Sequence, residues 1–181
     1  DDQRLCEAAS VAAGLHVTLT DLAVARHAST LLRSEDWEAR VTLYGAQIVH
    51  VGRKDAPWLG LAVDIGTTKI AAYVVDLDTG KTLASRGAMN PQIAYGEDVV
   101  ARLIYAGRGE EESAHLQALL VEGLSRLSAE ACEEIGAEAG DIVEAVVVAN
   151  TAIHHLFLRL PVTQLASAPY VPAVRAAVHV R

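Results

Sequence analysis

Residues 61–81 read LAVDIGTTKIAAYVVDLDTGK, and the reading of this stretch decides the fold. A nearly all-apolar run, Leu59–Ile65, carries Asp64 close to its end and passes into Gly66, Thr67 and Thr68. A second apolar run, 70–77, follows at once. Such runs are expected of strands buried on both faces. Asp78, Thr79 and Gly80 make the next turn, with Gly80 suited to positive φ, and 81–88 is a third strand. Three consecutive strands joined by tight turns are antiparallel neighbours. A P-loop is thereby excluded, because its glycines lead into a helix.

The first of these turns invites chemistry. An aspartate at the end of a buried strand is costly unless charge or hydrogen bonds compensate it. A hydrated Mg²⁺ does so, because the ion keeps its waters and prefers carboxylate partners. Gly66 lets backbone approach a ligand, and successive N–H groups in such a turn form an anion-binding concavity. Thr67 and Thr68 add hydroxyls, which completes a phosphate grip built on a hairpin. The alternative is a self-capped turn in which Asp64 accepts backbone N–H bonds. The four-residue pattern Asp-x-Gly-Thr leaves both open.

Beyond the third strand the period becomes helical. Glu97 or Asp98 starts a helix through Val99, Val100, Leu103 and Ile104, which Gly107-Arg108-Gly109 ends. A long helix is predicted over 112–135, striped by Leu116, Leu119, Leu120, Leu124, Leu127, Ala131 and Ile135. A fourth buried strand is expected over 143–149 and a third helix over 151–160, stopped by Pro161. The order β-β-β-α-α-β-α reaches that fourth strand through a helical crossover, which makes it parallel to the first. Upstream, residues 1–54 form a separate small α+β unit, and 55–57 is a linker closed by Pro57. That unit holds a helix closed by Gly14, a short strand at 17–19 and a helix capped by Thr20 or Asp21. Alternating apolar residues over 39–43 and 47–51 complete it as a hairpin. The chain ends in residues 178–181, which read as an unfinished strand of something longer.

Composition narrows the partners. The net charge of −8, with acidic residues massed at 110–112 and 130–138, argues against nucleic acid or an anionic membrane surface. The bland account of those acidic runs is a solvated helix face. Cys6 and Cys132 are far apart and form no Cys-x-x-Cys pair, so no disulfide framework, zinc site or iron–sulfur site is expected. Buried thiols in a reducing compartment, and a cytoplasmic location, are the expectation. No apolar run reaches the roughly 18 residues of a membrane span.

In context, Asp64-Ile65-Gly66-Thr67 resembles the first phosphate loop of the actin, sugar kinase and heat-shock ATPase superfamily. The fold implied is α/β: a ribonuclease-H-like, actin-like ATPase half-domain with a mixed sheet, over 58–181, preceded by the small unit. Three blocks together narrow the resemblance. They are residues 60–69 (GLAVDIGTTK), 90–98 (NPQIAYGED) and 149–158 (ANTAIHHLFL), which look like the reductive activators of corrinoid proteins. In that family a [2Fe–2S] ferredoxin domain precedes a linker, a middle domain and an actin-like ATPase domain. Residues 1–54 look like the middle domain, and 58–181 like the first half of the ATPase domain.

The resemblance implies ATP-driven reduction of Co(II) corrinoid to Co(I), with a corrinoid protein as partner and electrons arriving through the ferredoxin domain. A homodimer is possible. No ligands for the [2Fe–2S] cluster occur in this chain. Carried over, Asp64 holds the water shell of Mg²⁺, and Gly66, Thr67 and Thr68 contact ATP phosphates. Lys69 is either a phosphate contact or an exposed lysine at a strand start. Asn150 and Thr151 follow the fourth strand, where relatives place a polar residue handling the attacking water or substrate. Asn150 is equally suited to cap a helix. The family usually has Gly at the position of Ala149 and Met at that of Ile153, and the alanine makes close backbone approach to a ligand beside Asn150 harder.

Residues 90–92 with Gly96 and Asp98 are a turn into a helix, or else a loop over the nucleotide cleft or facing the corrinoid partner. His154 and His155 are about 100° apart on a helix and cannot chelate one ion from one face. Packing or hydrogen bonding is expected of them. Two other readings share the fold. A small-molecule kinase would need a catalytic aspartate near the fourth strand, where this chain has Asn150. A non-catalytic actin-like scaffold would assemble with nucleotide and turn over slowly or not at all.

The superfamily closes its site with a second phosphate loop and an adenosine motif, neither of which occurs in residues 1–181. These residues alone are therefore expected to be inactive and to bind ATP weakly or undetectably in a calorimetric titration. Micromolar affinity would contradict that expectation.

Overall fold

The computed structural model describes residues 1–180 and divides into two compact units. The first comprises Asp1–Leu59 with Gly140–Val143, and the second Gly60–Ala139 with the stretch from Glu144 onward.

In the first unit, helix α1 (Asp2–Ala13) buries Leu5 and Ala9 and ends at Gly14, whose φ of 68° is the left-handed cap anticipated for that glycine. Helix α2 (Leu22–Ser34) is capped by Asp21, whose carboxylate accepts from the N–H groups of Ala23 and Val24. Its buried residues Val24, Ala28 and Leu32 recur every fourth position, as one helix face requires. Strands β1 (Ala39–Tyr44) and β2 (Gln47–Arg53) form an antiparallel hairpin turned at Gly45, φ 60°. Val17 and Thr18 lie beside it, with Thr18 bridged to Gln47 in parallel. Val17, Ile48 and Val51 join the helical residues in one core.

The second unit is built on a sheet of order β5-β4-β3-β6. Its strands are β3 (Leu59–Ile65), β4 (Lys69–Asp76), β5 (Thr82–Met89) and β6 (Ile142–Ala149). β4 and β5 are antiparallel, and their connecting turn is organised by a residue outside the anticipated Asp78-Thr79-Gly80 trio. The Asp76 carboxylate accepts from the Thr79 hydroxyl at 2.8 Å and the Asp78 N–H at 2.9 Å. Those hydrogen bonds hold the Asp76 carboxyl below the usual aspartate range. Gly80 takes positive φ, 71°, as expected.

One face of this sheet carries the core. Val63, Ile65, Ile70 and Ala72 pack with Leu103 and Ala106 of α3 (Val99–Ala106). Leu116, Leu120, Leu124 and Leu127 of α4 (Glu110–Glu134) join them, with Ile153 and Leu156 of α5 (Thr151–Phe157). α4 starts two residues earlier than the periodicity indicated, because Glu110, Glu111 and Glu112 favour the positive end of the helix dipole. Gly123 is buried where α4 meets the sheet, and a Cβ there would make ordinary van der Waals contact with Ile70 Cδ1 at 3.4 Å and Pro91 Cγ at 3.5 Å.

Four expectations are corrected. The strand at 143–149 is not buried: β6 is an edge strand whose residues 144–148 are exposed, Val146 at 58% and Val148 at 57%. β3 and β4 are not covered on both faces either. They alternate, with Asp64, Lys69 and Tyr73 exposed, because the helices among the described residues pack on one face only. Residues 178–180 form no strand, and the last helix stops at Phe157, ahead of Arg159 with its positive φ of 52°. Among the described residues no helix is long and apolar enough to cross a membrane. The element order and sheet order are those of a ribonuclease-H-like, actin-like module.

The one-sided core yields a direct test. Leu120→Ala removes a side chain with 0% exposure and is expected to cost about 2–5 kcal/mol in urea unfolding of the intact protein. Glu122→Gln, on the exposed face of the same helix, is expected to stay within about 0.5 kcal/mol.

Candidate functional site

The turn between β3 and β4 is held from behind by side chains that are distant in sequence. Gly66 closes the hairpin by donating its N–H to the Lys69 carbonyl at 2.9 Å. A Cβ at Gly66 would lie 2.7 Å from that same oxygen, so glycine is required by the closeness of the chain to itself. The next three carbonyls all point into protein. Gly66 O accepts from Asn90 Nδ2 at 2.8 Å, Thr67 O from Arg102 Nη1 at 2.7 Å, and Thr68 O from the Asn90 N–H at 2.8 Å. Each peptide group points its N–H opposite to its C=O. The N–H groups of Thr67 and Thr68 are correspondingly turned the other way, and donate to no acceptor among the described residues. Loop backbone arranged in this manner is suited to an anion.

Asp64 is exposed, on the β3 face opposite Val63 and Ile65. The desolvation cost read from the sequence is therefore not incurred. Among the described residues its carboxylate takes no hydrogen bond, so the structure does not show the self-capped turn either. Thr68 and Lys69 are likewise exposed, and Lys69 pairs with Met89 in the sheet. Thr67 is held twice, because Asn150 Nδ2 also donates to its hydroxyl oxygen at 3.1 Å. Asn150 follows β6 and Thr67 follows β3, so their contact places the C-terminal ends of these neighbouring strands together, as a parallel pair requires. Asn150 Oδ1 accepts from the Ile153 N–H at 3.0 Å and caps α5. One amide thus serves as helix cap and as tether for the turn.

The block at 90–98 supplies the rest. Asn90 is 1% exposed, and its Oδ1 accepts from the Gln92 N–H to start a short 3₁₀ turn, Pro91–Tyr95. Gln92 Nε2 donates to the Leu116 carbonyl and ties that turn to α4. Asp98 caps α3 through the Ala101 N–H. Arg102, one turn into α3, is fully buried and donates through Nε to Gly96 O at 2.8 Å as well as to Thr67 O. Burial pushes the guanidinium below its ordinary pKa, and the charge of Asp98 opposes that shift. Sequence reasoning passed over Arg102 because it sits inside the apolar helix VVARLIYA. A lone arginine among seven uncharged residues was the available signal.

The remaining candidates are not gathered at the turn. Thr151 is exposed, and its carbonyl accepts from His155 Nδ1 at 2.7 Å. His155 Nε2 accepts from the N–H groups of Ala173 and Val174, so both ring nitrogens of this buried histidine are committed to backbone. His154 meets the His155 ring edge-on, with centroids 5.7 Å apart. No group of three or more His, Cys, Asp or Glu side chains suited to a metal occurs among the described residues. A mostly apolar groove of about 890 Å³ lies elsewhere, between β6, α4, α5 and the segment 172–180, with Thr151 and His154 in its wall.

Asn90→Ala leaves the Gly66 carbonyl and the Gln92 N–H unsatisfied, and is expected to cost about 1–3 kcal/mol. Loss of hydrogen-exchange protection across 66–69, ahead of the global core, is the accompanying signature to measure.

Residues 59–181 match the family described as the RACo middle region. The word "middle" in that description attaches to 59–181, whereas the sequence reading used it for 1–54. Corrinoid activation enzyme RamQ of Eubacterium limosum is 32% identical over 154 residues, which is 83% of this chain and 26% of that protein. A solved structure described as a reductive activator for corrinoid, iron-sulfur protein superposes with a TM-score of 0.71 at 31% identity. That superposition covers 96% of this chain and 28% of the other. The chain spans about a quarter of the length of these relatives. On a match over well more than half of its residues, the chain belongs to the RACo middle region family, the corrinoid activators that its motifs resemble.

Proposed function

We propose that residues 58–181 are the first half of the ATP-binding domain of a reductive activator of corrinoid proteins, with 1–54 as a small middle domain. The observation that carries this reading is the turn at 66–68, whose carbonyls are all satisfied from one side while the N–H groups of Thr67 and Thr68 are left to the other. The donor set fits a phosphate chain. Two backbone N–H groups and the Thr67 and Thr68 hydroxyls meet its oxygens, with Lys69 close by at the start of β4. Asp64, exposed and unengaged, suits the water shell of Mg²⁺, an ion that takes one or two carboxylates and keeps several waters. Bound there, the ion would supply charge neutralisation of the phosphates.

The chain's own residues would then do three things. The tied-back turn presents its N–H groups without reorganisation, Asp64 fixes the cation's waters, and Asn150 orients the Thr67 hydroxyl. Asn150 Nδ2 donates to the Thr67 hydroxyl oxygen, so the Thr67 O–H proton is free to face a phosphate oxygen. An amide so engaged is no general base, which weighs against the small-molecule kinase reading. The names of the relatives support a corrinoid protein as partner in the whole molecule. In this proposal one electron passes from a [2Fe–2S] ferredoxin domain to Co(II), giving Co(I), and ATP hydrolysis makes that uphill transfer feasible. Thr151, exposed at the start of α5, is the remaining nucleotide contact proposed.

In the full-length protein, Asp64→Asn is expected to abolish Mg²⁺-dependent ATP hydrolysis with an unchanged circular dichroism spectrum and melting temperature. Near-normal turnover would remove Asp64 from this role.

A further inference from the structure

Arg102 stands apart from every other charge among the described residues. It is the one Asp, Glu, Lys or Arg side chain buried among the described residues, at 0% exposure. Its Nε and Nη1 donate to the carbonyls of Gly96 and Thr67, while Nη2 is buried without a hydrogen-bond partner. The ion pairs among the described residues use other cations, and the nearby carboxylate of Asp98 is engaged with the Ala101 N–H. A buried charge lacking a matching carboxylate is expensive.

Holding two loops together does not explain the charge. Asn90 holds the Gly66 carbonyl just as closely with a neutral amide. The Gly66 carbonyl shares its peptide group with the Thr67 N–H, and the Thr67 carbonyl shares its own with the Thr68 N–H; what differs is that the donor at Thr67 carries a full charge. A cation on the oxygen of a peptide polarises the N–H at its far side, and hydrogen bonds in series strengthen one another. The guanidinium therefore adds positive potential where the turn faces outward, which suits an anion across that peptide.

We propose that Arg102 is a positioning residue for phosphate at the 66–68 turn, acting through the Thr67–Thr68 peptide rather than by touching the ligand. This rests on the nucleotide reading above and deepens it: the turn selects multiply charged phosphates because its backbone is backed by a full charge.

The test uses the full-length protein with two variants that separate charge from tethering. Arg102→Gln keeps a neutral donor and loses the charge, whereas Arg102→Lys keeps the charge with a single donor group. Affinity for MgATP is measured by calorimetry, alongside KM, kcat and melting temperature. Charge backing predicts a rise of about tenfold or more in Kd and KM for Arg102→Gln, with a smaller change in kcat and substantial recovery in Arg102→Lys. Wild-type affinity in a folded Arg102→Gln protein, or equal losses in both variants, overturns the proposal. Should Arg102→Gln fail to fold, the lysine variant decides alone: affinity within about threefold of wild type supports charge backing, and a tenfold loss overturns it. A wild-type protein that binds no MgATP overturns the nucleotide reading, and this proposal with it.

Discussion

A peptide group cannot offer its N–H to a ligand while its C=O seeks a partner on the same side. The turn after β3 satisfies that constraint at three successive residues. Asn90 takes the carbonyls of Gly66 and Thr68, and Arg102 takes that of Thr67. Much of the second unit exists to put those donors in place. The 3₁₀ turn beginning at Pro91 holds Asn90 against the hairpin, Gln92 fastens it to α4, and the capped first turn of α3 delivers Arg102. On the other side, α5 begins where Asn150 reaches the Thr67 hydroxyl.

The core beneath is what keeps these donors still. Buried leucines recurring along α4 lie against Ile70 and Ala72, and each contributes roughly 1.5–3 kcal/mol by leaving water. Surface charge adds little to this. Arg86 and Glu134 pair at the surface, as do Arg159 and Glu110, and such exposed pairs are worth about 0–1 kcal/mol. The opposite sheet face, with Tyr73, Leu83, Met89, Val146 and Val148 exposed, carries no comparable layer among the described residues.

Particular residues show how far a sequence can be read. Gly14, Gly80, Asp21 and Asp98 were legible as caps and turns because their roles are local: positive φ, or a carboxylate within reach of the next two or three N–H groups. The hairpin at 66–68 was legible for the same reason. Arg102 was not, because a contact between residues 67 and 102 has no local signature, and its neighbours in α3 read simply as an apolar face. Asn90 was readable only as part of a turn into a helix, and its grip on Gly66 spans 24 positions. β6 misled in the other direction. Ile142, Val143 and Val146-Val147-Val148 have the composition of a buried strand, yet burial depends on what lies beside a strand, and here it is an edge.

By itself, the sequence determined the order of elements, the three-strand start with its phosphate-type turn, the apolar stripe of α4 and the family resemblance. All of these follow from short-range periodicity and from residue types with fixed backbone demands. Tertiary structure alone decided that Asp64 is exposed rather than buried, and that Asn150 caps α5 and tethers Thr67 with one amide. It alone also placed a buried positive charge behind the turn. Those outcomes depend on which distant side chains meet, and hydrogen bonds across tens of residues form only when packing has brought their partners within about 3 Å.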